Sequence, residues 1–229
     1  MRYLPRLMVW CGILCVTFMT TAEAQTTDIK LPKPALTGNK PLEAAILHKK
    51  SSRNFTGSTL SLANVSQLLW SANGNLPADA VTSATTKVFP SAGGLNALEA
   101  FLVAGQNTVE GVPAGVYRYN PADNTLRQIV PGDQRNLLAH AALSQVWIAR
   151  APAIIVIAAV FERMTGKYGG RGMQYVFMEA GAANQNVYLQ AESLGLKAAS
   201  VGAFQDNQVA AVLKLPAGMV PLLLLPVGN

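Results

Sequence analysis

Cysteine is almost missing from this chain. Cys11 and Cys15 are the only two, and both lie near the start. Histidine is equally scarce, with His48 and His140 alone. Beyond Cys15 the chain can therefore form no disulfide, thiol nucleophile or thiolate metal site. Two scattered histidines are a thin basis for a zinc centre or a Ser-His-Asp triad. Charge is sparse as well: Asp, Glu, Lys and Arg make up 13% of residues, with 18 basic against 12 acidic and a formal net charge of +6. An excess of positive charge suits an anionic ligand, a nucleic acid or a membrane surface. No long Lys/Arg run and no interleaving of basic with aromatic residues is present, which argues against nucleic acid. With so few reactive side chains, a borrowed cofactor is the simplest source of chemistry.

What is abundant is apolar. Half of the 229 residues are hydrophobic, enough for one sizeable core, and the length suits one domain with a short arm. Residues 1–24 read as a secretory signal peptide. Arg2 and Arg6 flank an uncharged run from Leu7 to Met19, and Ala22-Glu23-Ala24 offers a small-x-small cleavage site. The run is short for a membrane span, so no stable membrane insertion is expected after cleavage. The implied location is periplasmic or secreted, and an uncleaved anchor is the alternative. Cleavage would remove both cysteines.

Residues 25–41, with three prolines, read as an extended arm, and a domain over 42–229 follows. Helical spacing marks "PLEAAILHKK", with Pro41 at its start, and "SLANVSQLLWSANG", which Ser61 can cap and Gly74 can close. "GVYRYNPADNTLRQIV" reads as a hairpin, and "AIIVIAAVF" as a central strand covered on both faces. "QRNLLAHAALSQVWIARAP" reads as helical up to Pro152. "RGMQYVFMEAGAANQNVYLQAESLGL" is the longest helical pattern, and the small residues around Gly181 admit close approach of another backbone. "AASVGAF" and "MVPLLLLPVG" read as strands, with the short helix "NQVAAVLKL" between them. The expected class is α+β, with helices around a small mixed β-sheet.

Two stretches carry chemistry. In "HKKSSRNF", Lys49, Lys50, Ser51 and Arg53 stand at a helix end and the loop beyond. A guanidinium fork, ammonium groups and a hydroxyl can wrap a phosphate monoester from several sides. A solvated helix end would use the same residues. In "PSAGG", Pro90, Ser91, Ala92, Gly93 and Gly94 combine stiffness, a small hydroxyl and bare backbone, so amide groups can approach a flat polar ring. An ordinary turn would look similar. There is no G-x-G-x-x-G fingerprint after a strand and no Walker A sequence, so neither a Rossmann nor a P-loop site is supported.

Taken in order, "HKKSSRNF", "VSQLLWSANG", "PSAGGLNALEAF", "GVYRYNPADNTL", "FERMTGKYGGRG", "EAGAANQNVYLQAESLGL" and "VGAFQD" resemble the nitroreductase superfamily of FMN enzymes. The nearest branch holds the streptolysin-biosynthesis and thiazoline/oxazoline dehydrogenases. The resemblance implies an FMN-dependent oxidoreductase acting on a small molecule, with a nitroreductase-like fold and an intertwined homodimer. Each flavin would lie at the subunit boundary. It places the FMN phosphate and ribityl chain on Lys49, Lys50, Ser51 and Arg53. Pro90, Ser91, Ala92 and Gly93 would lie against the ring, and Gly202, Ala203 and Phe204 would cover its edge. Gln185 and Asn186 match a Gln-Asn signature. Lys167 and Tyr168 fall on an acid–base pair, a role that a desolvated Lys or a Tyr polarised by it can fill. A surface loop, "GKYGGRG", is the plainer alternative.

The sequence also departs from that branch. Ala182 stands where a His is typical, and Met173 and Gln174 where an aromatic–Arg pair is common. These departures put an azoline substrate in doubt. Glu179 is expected to pair with a nearby Arg such as Arg171. A binder that carries flavin or another anion without turnover is the alternative function, and the residues do not name an electron donor.

Overall fold

The computed structural model describes Met1, residues 28–76 and residues 86–229. Apart from Met1, the expected signal segment lies outside the described residues.

Among the described residues, seven strands form one sheet. They are β1 (Ile29–Lys30), β2 (Leu98–Ala104), β3 (Gly115–Asn120), β4 (Thr125–Pro131), β5 (Ala153–Val160), β6 (Lys197–Ala198) and β7 (Met219–Gly228), in the spatial order β1-β4-β3-β2-β5-β7-β6. Every pairing between these strands is antiparallel. The sheet is thus larger than expected and not mixed; parallel pairing is confined to isolated bridges such as Ser51 with Ala198. The reason is the connections: β2 to β3 and β3 to β4 are short, and short links return the chain antiparallel.

The helices are α1 (Leu42–His48), α2 (Leu62–Asn73), α3 (Arg135–Ala141), α4 (Glu162–Tyr168), α5 (Arg171–Ser193) and α6 (Asp206–Leu213). They cover both faces of the sheet. On β2, Leu98, Ala100, Leu102 and Ala104 join the cluster that includes Val65 and Leu68 of α2 and Val176, Ala183 and Val187 of α5. The alternate residues Phe101 and Val103 join Leu138 of α3 with Val209 and Leu213 of α6. The strict two-residue alternation of side chains makes one apolar strand feed two cores. β5 divides the same way, with Ile155 and Ile157 on one side and Ile154 and Val156 on the other.

Helix ends follow local chemistry. Ser61 caps α2 by accepting from the Asn64 amide at 3.1 Å. The helix expected to continue to Pro152 stops at Ala141. Leu143 and Ser144 take φ of 57° and 58°, breaking it before a 3-10 turn over Val146–Arg150. "AASVGAF" contributes only Ala198 to β6, with one bridge from Ala198 to Ser51 and one from Val201 to Leu224. Of the arm, residues 28–41 are described, and Ile29 and Lys30 form the edge strand against β4. No described helix is long and apolar enough to cross a membrane.

Candidate functional site

The basic segment follows α1 directly. Its backbone is fixed by the bridge from Ser51 to Ala198 and by the Ser52 amide, which donates to the Ala198 carbonyl at 2.8 Å. Ser51 Oγ lies 2.8 Å from Tyr188 Oη. Lys49 Nζ sits over the Tyr188 ring at 5.5 Å, and the Arg53 guanidinium over Trp147 at 5.6 Å. Lys50, Ser51 and Arg53 are exposed and Lys49 half-buried. Among the described residues none of these cations has a carboxylate partner. The segment from Ala198 to Phe204 runs alongside, with Gly202 and Ala203 exposed and Phe204 half-buried. Gln145 Nε2 donates to the Ala203 carbonyl at 3.3 Å, anchoring it.

The second group gathers around Gly93. This residue has φ of 60°, inside a 3-10 turn over Ala92–Gly94. A Cβ placed on it would fall 2.6 Å from Tyr168 Oη and 3.1 Å from Lys167 Nζ. The Pro90–Gly94 loop and the Lys-Tyr pair, far apart in sequence, therefore meet there. Lys167 and Tyr168 form the last turn of α4, not a loop as the plainer reading had it, and Gly169 ends the helix at φ of 55°. Tyr168 stacks edge-on against Tyr175 at 5.1 Å. Lys167 is exposed, so this chain's own atoms do not supply the desolvation invoked for it.

Glu179 anchors this loop from behind. It is 2% exposed and, among the described residues, pairs with no Arg; Arg171 stacks over Tyr175 instead. Glu179 Oε2 accepts from the Ala97 amide at 3.0 Å, while Oε1 has no hydrogen-bond partner. Burial raises its pKa, partly offset by the Ser91 hydroxyl and the Ala97 amide. Ser91 Oγ in turn accepts from the Asn96 amide at 2.9 Å. Asn186 Nδ2 donates to the Val88 carbonyl at 2.9 Å, just ahead of the loop. Gln185, the other residue of the Gln-Asn signature, points about 100° away from Asn186 around the helix.

Helix α5 separates the two groups. At 3.6 residues per turn, Glu179 and Asn186 fall within about 20° of each other, and Tyr188 falls about 180° from Glu179. The loop group and the basic group thus occupy opposite flanks of one helix. Tyr188, Trp147 and Glu179 were not among the residues singled out as a site. Their roles depend on contacts such as Ser51 with Tyr188, 137 residues apart, which no local pattern records.

With that geometry in hand, the comparisons are direct. The family model described as "Nitroreductase family" matches residues 46–229, and the chain belongs to that family of oxidoreductases. It is 40% identical over 209 residues to MJ1384 of Methanocaldococcus jannaschii, which carries the name nitroreductase; the match covers 91% of this chain and 97% of the relative. It is 30% identical over 132 residues to the microcin B17-processing protein McbC of Escherichia coli, covering 56% of this chain and 48% of McbC. Among solved structures, a nitroreductase-named protein of Ralstonia eutropha superposes with a TM-score of 0.75 at 27% identity, covering 88% of this chain and 89% of that one. The NADPH:FMN oxidoreductase of Vibrio harveyi shares the fold, with a TM-score of 0.57 at 18% identity over 82% of this chain and 68% of that one.

Proposed function

We propose that the protein is an exported FMN-dependent oxidoreductase that works on a small organic molecule in a cleft completed by a second copy of the chain. The observation that carries this reading is the meeting of the Pro90–Gly94 loop with Lys167 and Tyr168 at Gly93. The export part rests on the signal-like residues 1–24, and it implies a reductant other than an abundant nicotinamide pool.

The residues present fit the cofactor. Lys49, Lys50 and Arg53 are cations free of carboxylate partners among the described residues. Ser51 adds a hydroxyl, and Gly93 and Gly94 leave bare backbone for a flat ring. The flavin, when bound, would supply the ring that takes up or gives hydride. The basic segment would neutralise its phosphate. Glu179, through Ala97 and the nearby Ser91, holds the loop in place. Tyr168 Oη and Lys167 Nζ stand beside Gly93 and can hold or release a proton for a substrate lying there.

The opposite-flank arrangement on α5 supports a dimer, because one ring-sized ligand reaches both groups most simply if each comes from a different copy. Apolar residues exposed near both groups fit this: Leu42, Ile46 and Leu47 on α1, and Met173, Phe177 and Met178 on α5. Similarity to McbC favours an azoline-like substrate, while Ala182 and the Met173-Gln174 pair weaken that choice.

The test mixes two defective variants. One lacks the clamp (Ser51→Ala with Arg53→Ala) and the other lacks the pair (Lys167→Ala with Tyr168→Phe). Co-refolded in equal amounts, they would regain about a quarter of wild-type turnover, because half of the dimers carry one intact site. Absence of any regain, with both variants folded and dimeric, rejects the shared cleft. A colourless wild-type protein that ignores added FMN rejects the flavin assignment. A yellow protein that no donor bleaches leaves a binder without turnover.

A further inference from the structure

Behind the Ser91 loop lies a second cavity, of about 430 Å³. None of the clamp residues and neither member of the Lys-Tyr pair lines it. Its charged walls are Lys87, Arg118, Arg127 and Arg163, set against Asp28 and Glu99. Asp28 is fully engaged with Arg127 through two contacts of 2.9 Å. Glu99, only 8% exposed, is straddled: Oε1 lies 2.7 Å from Arg163 and Oε2 3.1 Å from Arg118. One carboxylate thus serves two guanidinium forks, and Lys87 adds a third cation that, among the described residues, only a carbonyl holds, Asn73 O at 3.0 Å. Burial lowers the pKa of Lys87; Glu99 opposes this and Arg163 adds to it. Cations crowded around too little negative charge are stabilised by an added anion.

The neutral lining adds no further demand. Asn73 is 1% exposed, its Nδ2 donates to the Leu98 carbonyl at 3.2 Å, and its Oδ1 is buried out of reach of the cavity. A ligand that satisfies the cations must offer several acceptor oxygens close together. The remaining lining is carboxamide with Leu98, Pro121 and Tyr119; Tyr119 is 2% exposed, so it offers no open face on which a base could stack.

We propose that this cavity is a binding site for a small oxyanion, of the phosphate or short dicarboxylate kind. It is separate from the flavin clamp. It also touches the loop: Arg163 donates to the Asn96 carbonyl at 3.0 Å, and the Asn96 amide donates to Ser91 Oγ. An occupant that draws Arg163 toward itself would be felt at Ser91.

The experiment is calorimetric titration of the flavin-loaded, full mature protein at fixed ionic strength with phosphate, L-malate, sulfate and succinate. Saturable binding of at least one of the four is expected, about tenfold or more tighter than that of chloride as the control. Whether the tetrahedral anions or the dicarboxylates bind tighter identifies the source of the oxyanion. Arg118→Gln, on the half-exposed end of the cluster, would weaken binding about tenfold or more. Glu99→Gln would tighten it, because a competing carboxylate disappears, and a misfolded variant cannot mimic that gain. The proposal is overturned if none of the four binds more tightly than chloride. It is equally overturned if Glu99→Gln fails to tighten the favoured anion, or if Ser51→Ala with Arg53→Ala, rather than Arg118→Gln, abolishes binding.

Discussion

Ser51 Oγ and Tyr188 Oη stand 2.8 Å apart, and the same phenol accepts from the Ser200 amide at 2.7 Å. With one lone pair taken by Ser200, the phenol proton can point at Ser51. That leaves the proton of Ser51 free to donate outward to a phosphate oxygen. Tyr188 is 7% exposed, so it acts on a ligand through Ser51. Tyr188→Phe would strand the Ser200 amide and cost about 1–2 kcal/mol of stability. Fluorescence titration with FMN would show affinity falling about tenfold, while Ser51→Ala would lower affinity with a smaller change in melting temperature.

Gly93 and Gly94 make a matched pair. Both have positive φ, 60° and 67°, but a Cβ at Gly94 meets nothing within 4 Å. Alanine at either position costs about 1–2 kcal/mol of backbone strain. Only Gly93→Ala also drives a methyl into Tyr168 Oη. Turnover in Gly93→Ala is expected to fall about tenfold or more below that of Gly94→Ala, with similar thermal stability. Equal turnover in the two variants would show that the place of Tyr168 does not matter.

Glu179 ties stability to pH. Its pKa is raised in the folded chain, first by burial. The unfolded chain gives up this proton at the ordinary glutamate value, whereas the folded chain holds it longer. The stabilisation is therefore complete below that ordinary value, declines as pH climbs toward the raised one, and levels off above it. Glu179→Gln keeps an oxygen for the Ala97 amide and removes the titration. Its melting temperature relative to wild type should rise with pH across that window, measured at matched ionic strength.

The two neighbours on α5 should behave differently. Asn186→Ala breaks the contact with the Val88 carbonyl and would cost about 1 kcal/mol, with the Ser91 loop loosened. Gln185→Ala would leave the melt within about 0.5 kcal/mol of wild type. Hydrogen exchange of the amides from Ser91 to Ala97 distinguishes a loosened loop from a general loss of stability.

Much of the fold was legible because its signals are local. The β-branched run at β5, the turn in "NPADN", Ser61 before α2 and the closing strand β7 each declare themselves within ten residues or so. What escaped was set by longer reach. Sheet direction depends on which strands meet. The break after Ala141 depends on Leu143 and Ser144 accepting left-handed backbone, which neither residue type advertises. In the site, the motif order singled out Ser51, Ser91 and Tyr168, but it does not show that Tyr188, the Asn96 amide and Tyr175 are the groups that contact them. Glu179 was expected beside an arginine because carboxylates on apolar helices usually need a cation. A backbone amide fills that need here.

The arm has a consequence for anyone handling the molecule. Leu31, 3% exposed, sits in the core, and the Leu31 amide donates to the Asn124 carbonyl at 3.0 Å. Ile29 and Lys30 cover the outer hydrogen-bonding edge of β4. Recombinant protein trimmed to begin at residue 42, at the first helix, would bare that edge and invite chains to stick edge to edge and precipitate. Three residues that look dispensable, Ile29 to Leu31, would then decide whether the material stays in solution.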